Sequence, residues 1–142
     1  RFFLGDSGAQ LLGFLLAGLS IVYNPAGYLP TQSWFIPILL AGVPIFDTTL
    51  VVISRLRRGK PIYYSGLDHT YHRLVRLGLD SSRAVLTMQF IALLLGCVAF
   101  ISLALPPLTS NILFASCVLA GMGAVAVMEW KYREADTHPP QD

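Results

Sequence analysis

The sequence predicts an all-α fold, that of a polytopic integral membrane protein with about four transmembrane helices. Hydrophobic residues make up 54% of the 142-residue chain and charged residues only 13%, whereas a soluble domain usually carries about 25% charged residues. The apolar runs lie at about residues 9–23, 35–53, 84–105 and 111–128, and each comes close to the length that crosses a bilayer. We expect residues 1–142 to form part of one transmembrane domain.

The basic residues are concentrated in the loop 54–83, between the second and third apolar runs. Seven of the ten Lys and Arg residues lie there: Arg55, Arg57, Arg58, Lys60, Arg73, Arg76 and Arg83. Because Lys and Arg are retained on the cytoplasmic side of a membrane, this loop should be cytoplasmic and the uncharged loops external. The N-terminal end and the charged tail 129–142 should then be cytoplasmic too, and we expect the tail to be disordered.

Each apolar run carries, or follows, a feature that predicts its behaviour as a helix. In the first run Ala9, Gly13 and Ala17 recur every fourth residue, which favours close packing against another helix. In the second run Pro44 removes a helical hydrogen bond and should kink or break the helix. Asp80, Ser81 and Ser82 are the candidate N-caps of the third run, and a short uncharged turn leads into the fourth.

Composition argues against several other classes of protein. The basic residues are too few, and too close to membrane spans, for an extended nucleic-acid footprint. Cys97 and Cys117 fall within apolar runs, so we interpret them as small buried hydrophobic residues without disulfide or metal. The chain begins at Arg1 with neither the basic segment nor the cleavage site of a signal peptide, and we expect an N-terminal part to be missing.

The first candidate site is the Gly-Asp-Ser-Gly segment, residues 5–8, at the start of the first apolar run. Glycine lets the backbone approach a ligand closely, and the free N–H groups of a helix start attract anions. The carboxylate of Asp6 can hold Mg²⁺, which prefers oxygen ligands and is usually shared with substrate phosphates. The simpler alternative is that Asp6 only caps the helix.

The second candidate site lies in the basic loop, where Asp68 is a predicted helix N-cap and Gly78 a predicted helix stop. A helix between them would bring two histidines and two arginines to one face: His69, His72, Arg73 and Arg76. Such a face suits phosphate, because arginine supplies forked donors and histidine transfers a proton near neutral pH. Two alternatives are contact with anionic lipid head groups and a partial zinc site.

A third candidate is Asp47, inside the second apolar run. A carboxylate within a membrane is costly unless it faces protein or water, which marks Asp47 as a candidate functional residue. It also lies near the cytoplasmic end of the run, so a simple ion pair with an arginine of the loop is an equally good interpretation.

The segments 2–20 and 43–79 resemble the polyprenyl-phosphate N-acetylhexosamine-1-phosphate transferases. This family, of the glycosyltransferase family 4 type, includes undecaprenyl-phosphate GlcNAc-1-phosphate transferases and phospho-MurNAc-pentapeptide translocases. Its FxGDxGS motif is matched, with Ala9 as the last residue, at four positions: Phe3, Gly5, Asp6 and Gly8. Its His-x-His-His-Arg-Leu motif is matched, with Tyr71 for the middle histidine, at four more: His69, His72, Arg73 and Leu74.

The resemblance implies an enzyme that moves an N-acetylhexosamine-1-phosphate from a UDP-sugar to undecaprenyl or another polyprenyl phosphate. It would release UMP at the cytoplasmic face of the cell membrane. The resemblance implies that Asp6 is catalytic and binds Mg²⁺, with Mn²⁺ as the alternative ion. It also implies that His69 and His72 are catalytic and, with Arg73, bind the nucleotide sugar, and Arg76 joins them from the same predicted face.

The rival interpretation is a non-catalytic membrane module whose basic loop binds lipid phosphates. The family's aspartate-rich motif is absent, and we expect it in the missing N-terminal part. The sequence leaves open the identity of the sugar, the length of the lipid and whether the protein forms a homodimer. It also leaves open whether the product is used for peptidoglycan, teichoic acid or lipopolysaccharide.

Overall fold

A computed structural model describes residues 5–23, 25–61 and 69–137, which contain helices and no strands. The helices in these ranges are, in chain order: α1 Gly5–Val22, α2 Pro30–Ser33, α3 Ile36–Leu40, α4 Gly42–Arg57, α5 Thr70–Arg76, α6 Ser81–Leu103 and α7 Pro107–Thr137. The predicted all-α class is confirmed. Of the candidate N-caps of α6, Asp80 is confirmed, because Asp80 Oδ2 accepts a hydrogen bond from Ser82 N–H at 3.2 Å.

Two helical segments are long and apolar enough to cross a membrane, Ser81–Leu103 and Pro107–Lys131. Pro30–Leu40 and Gly42–Arg57 pass the same test together, as one span bent by 63°. The apolar part of α1, Ser7–Val22, is shorter; at 1.5 Å per residue it is about 24 Å long, against about 30 Å for a hydrocarbon core. By length and composition the described residues therefore hold two or three spans, and the fourth stays a prediction.

The bend in the second apolar run lies between Leu40, the end of α3, and Gly42, the start of α4. Pro44 explains this position, because it has no N–H to donate to the carbonyl of Leu40 and its ring would clash with that carbonyl. Glycine at position 42 lets α6 pack closely against the bend. A Cβ there would lie 2.6 Å from Cδ1 of Leu95 in α6, which is too close. The predicted break is thus confirmed, and it lies one turn before the proline that causes it.

The apolar core lies where α2 and α3 pack against α6 and α7. Phe35, Ile36 and Leu39 are buried there with Ala99 of α6, and the ring of Phe35 stacks on that of Phe114 with the centroids 4.9 Å apart. This packing fixes the first half of the bent span, so that α4 leaves the bend in a defined direction towards the basic loop.

Most of the remaining apolar side chains face outward. Phe14, Phe100 and Leu108 are each about three-quarters exposed, an arrangement suited to a hydrocarbon solvent. Cys97, predicted to be buried, is exposed on α6, and Cys117 is half-buried on α7; both are free thiols. The burial prediction is wrong for Cys97 because an apolar residue of a membrane helix can face outward as readily as inward.

The C-terminal region differs from its prediction. Residues 129–137, predicted to begin a disordered tail, continue α7 as far as Thr137. No proline or glycine interrupts the sequence from residue 124 to residue 137, and Glu129 is buried against the rest of the chain. Residues 138–142 lie outside the described part.

Candidate functional site

The predicted histidine and arginine segment forms the short helix α5. Gly78 follows its C-cap with φ of 96°, which confirms the predicted stop, because glycine readily adopts the positive φ that ends a helix. His69, in an extended conformation, occupies the N-cap position in place of the predicted Asp68. Asp68 itself lies outside the described residues.

The N-terminal end of α5 is bound by Asp47 of α4. Thr70 N–H donates a hydrogen bond to Asp47 Oδ1 at 2.6 Å, so a carboxylate from another helix satisfies one of the free N–H groups at the helix start. Asp47 Oδ2 lies 2.8 Å from Nδ1 of His69. Because an ionised carboxylate can only accept, Nδ1 is the donor of this pair, and in a neutral imidazole Nε2 is then the ring nitrogen that accepts from an outside group.

These contacts change the interpretation of Asp47. The two oxygens bind His69 and the backbone of Thr70, rather than serving only as a counter-ion for a loop arginine. The side chain of His69 is 53% exposed and that of Asp47 is 22% exposed, so the imidazole is both oriented from within and accessible from outside. No local sequence pattern shows this pairing, because the two residues are 22 positions apart.

One turn further along, α5 is bound by Glu129 of α7. Arg73 Nη1 donates to Glu129 Oε1 at 2.5 Å, and the two side chains are only 1% and 8% exposed. Arg57 Nη1 lies 4.0 Å from the other carboxylate oxygen. Leaving one member of such a pair buried without its partner costs about 3–5 kcal/mol. Sequence reasoning missed Glu129, because it opens the stretch interpreted as a tail.

The third contact of α5 is with the start of α6. The hydroxyl of Tyr71 lies 2.6 Å from Oγ of Ser81, and the ring of Tyr71 packs edge-on against the ring of His72, with centroids 5.1 Å apart. His72 is half-buried. Side chains from α4, α6 and α7 therefore all hold this one short helix.

The predicted single basic face is wrong in its geometry. His69 precedes the helix, Arg73 is buried against Glu129, and Arg76 is exposed. The reason is that the anchoring contacts come from the first turn, residues 69–73, which turns Arg73 inward. The substrate roles predicted for His69, His72, Arg73 and Arg76 stay predictions.

The predicted metal ligand, Asp6, lies in the first turn of α1, and its side chain is outside the described part. Gly5 beside it has φ of 63°, with open space where a Cβ would lie. Aspartate is a residue type that Mg²⁺ prefers as a ligand, and the metal-binding role of Asp6 stays a prediction. Among the described side chains no group of three or more His, Cys, Asp or Glu could hold a metal, so the partial zinc site finds no support there.

The known proteins that are similar to this chain include the following three. A Bacillus subtilis protein named "Probable undecaprenyl-phosphate N-acetylglucosaminyl 1-phosphate transferase" is 34% identical over 104 residues, which cover 71% of this chain and 28% of the relative. A Mycobacterium leprae "Decaprenyl-phosphate N-acetylglucosaminephosphotransferase" is 31% identical over 139 residues, 88% of this chain and 34% of the relative. A Haemophilus influenzae "Undecaprenyl-phosphate alpha-N-acetylglucosaminyl 1-phosphate transferase" is 28% identical over 65% of this chain and 26% of the relative. No family model and no solved structure matches.

Helices that can span a membrane, an apolar surface and an anchored cationic helix define an all-α polytopic membrane protein with a polar site. The two sequence motifs, at residues 3–9 and 69–74, and the similarity to the three relatives together narrow this class to one family. The similarity of these relatives over 65–88% of the chain supports its assignment to the polyprenyl-phosphate N-acetylhexosamine-1-phosphate transferase family. The chain spans between about a quarter and a third of the length of these relatives.

Proposed function

We propose that the full-length protein transfers an N-acetylhexosamine-1-phosphate from a UDP-sugar to a polyprenyl phosphate, with release of UMP, for cell-envelope polysaccharide synthesis. The names of the relatives support N-acetylglucosamine as the sugar and undecaprenyl or decaprenyl phosphate as the acceptor. The observation that carries the proposal is the anchoring of α5. The helix that holds the histidine motif is fixed by carboxylates from two other helices, at Asp47 and at Glu129.

In this reaction an oxygen of the lipid phosphate attacks the phosphorus that bears the sugar, and the bond from that phosphorus to UMP breaks. The chain supplies groups for binding and orientation. The imidazole of His69 is about half exposed, His72 of the same motif is half-buried, and Arg76 adds a cation at the end of the helix. These groups suit a diphosphate, whose charge must be stabilised as it develops. Mg²⁺ bound at Asp6 would add to that stabilisation.

The activity is tested with the purified full-length protein, UDP-GlcNAc, undecaprenyl phosphate and Mg²⁺, by measuring UMP release. We expect release in the wild type and a loss on the order of a hundredfold in His72→Ala, the magnitude typical of a lost acid–base group. His138→Ala, which removes the one histidine outside the motif, is the matched control and should keep the wild-type rate. No UMP release from any UDP-amino sugar, with lipid phosphate still bound, would favour the non-catalytic module instead.

The cytoplasmic position of the site is a separate prediction, based on the distribution of Lys and Arg. After replacement of Cys97 and Cys117 by alanine, Ser7→Cys and Lys60→Cys should react with an impermeant maleimide only in inverted vesicles. Thr31→Cys, in the short helix α2 of the uncharged segment between the first two apolar runs, should react only in right-side-out vesicles. All three positions are exposed in the structure. Labelling of positions 7 and 60 from opposite sides would contradict a common site for Asp6 and α5.

A further inference from the structure

We propose that Glu129 is a positioning residue for the transferase site: it binds Arg73 and so fixes the orientation in which α5 presents His69 and His72. The inference rests on the proposed function. It gives Arg73 the role of an anchor within the protein. It also makes the cytoplasmic end of α7, which no motif marks, part of the site.

The contact itself is specific and buried. Arg73 and Glu129 are 56 residues apart in the chain, yet Nη1 and Oε1 meet at 2.5 Å, with 1% and 8% of the side chains exposed. Arg57 approaches the second oxygen of Glu129 at 4.0 Å. One carboxylate therefore faces cations from two segments, and the guanidinium of Arg73 is enclosed by protein.

Three side-chain contacts hold α5, and of these the Tyr71–Ser81 hydrogen bond is exposed whereas the Arg73–Glu129 contact is buried. Seven residues are too few for a helix to be stable by itself in water. The Asp47 contact fixes the N-terminal end at Thr70, but alone it leaves the helix free to rotate about its axis. The Glu129 contact lies one turn further on, and it removes that freedom.

The competing explanation is that the ion pair only stabilises the fold. Buried ion pairs are weak evidence for stability, because desolvation offsets most of their attraction and well-packed apolar replacements are often equally stable. The double variant Arg73→Met with Glu129→Leu uses this property. It restores packing without restoring a directional contact, so stability and orientation can be measured separately.

The experiment uses the full-length protein in detergent, with hydrogen–deuterium exchange, thermal unfolding and UMP release. In Glu129→Gln we expect exchange at residues 70–77 to rise by roughly tenfold or more, since a buried contact of Arg73 is weakened. Exchange within Ser81–Leu103 should not change. We expect kcat of Glu129→Gln to fall as the exchange at residues 70–77 rises. The apolar double variant should recover the unfolding temperature but not kcat. Lys131→Gln, an exposed charge removal on the same helix, should match the wild type.

Unchanged exchange at residues 70–77 in Glu129→Gln would overturn the proposal. A rise of equal size throughout Ser81–Leu103, with kcat restored in the apolar double variant, would also overturn it, since the pair would then be only structural. If the wild type itself releases no UMP, the proposed transferase function fails. The exchange pattern still decides whether Glu129 orients α5.

Discussion

If the proposed reaction is correct, Asp6→Asn is expected to abolish turnover by the full-length protein almost completely, while its folding stays intact. Asparagine keeps the size and the capping ability of aspartate, but it lacks the charge that would hold Mg²⁺. A bound metal ion contributes several kcal/mol of charge stabilisation, and each factor of ten in rate corresponds to about 1.4 kcal/mol. Turnover should therefore fall by orders of magnitude, at unchanged expression and unfolding temperature.

The measurement is UMP release over a range of Mg²⁺ concentrations, with thermal unfolding of the same samples. Asp80→Asn is the matched control, since Asp80 caps α6 through a hydrogen bond from Ser82 N–H and asparagine can accept the same bond. It should keep both the rate and the Mg²⁺ dependence. If Asp6→Asn turns over like the wild type at low Mg²⁺, Asp6 is only a helix cap.

Asp47→Asn is expected to reduce turnover by roughly a hundredfold, with only a small change in stability. The amide oxygen can still accept from Thr70 N–H, which preserves the capping contact. The amide nitrogen, however, cannot accept the Nδ1 proton of His69. The imidazole then loses both its fixed orientation and its fixed tautomer, which are the properties that an acid, a base or a phosphate ligand depends on.

Asp47→Ala removes both contacts and should in addition lower stability by about 1 kcal/mol, the typical cost of a lost helix cap. Thr49→Val is the matched control on the same helix, because the exposed Thr49 hydroxyl donates to Ile45 O within α4, at 2.7 Å. It should keep the wild-type rate. An unchanged pH–rate profile for kcat/KM in Asp47→Asn would show that Asp47 does not act through His69.

The membrane character of the chain was predictable because it depends on residue composition alone. A helix in lipid satisfies its own backbone and can expose apolar side chains on every side, so no partner has to be known. Local sequence signals for helix ends and breaks were also predictable, because each acts on nearby residues. Asp80 and Gly78 act on N–H groups and dihedral angles within a few residues, and Pro44 acts on the carbonyl one turn before it.

Sequence patterns were enough for the family motifs, the all-α class, the stop after α5 at Gly78 and the N-cap of α6 at Asp80. Which side chains meet depends on the packing of the helices. Asp47 reaches His69 across 22 residues and Glu129 reaches Arg73 across 56, and no short-range pattern encodes either choice. Any of several arginines satisfies a carboxylate equally well by charge. The partner is selected by how α4 and α7 approach α5, which is fixed by the bend at Leu40 and by the continuation of α7 past Glu129.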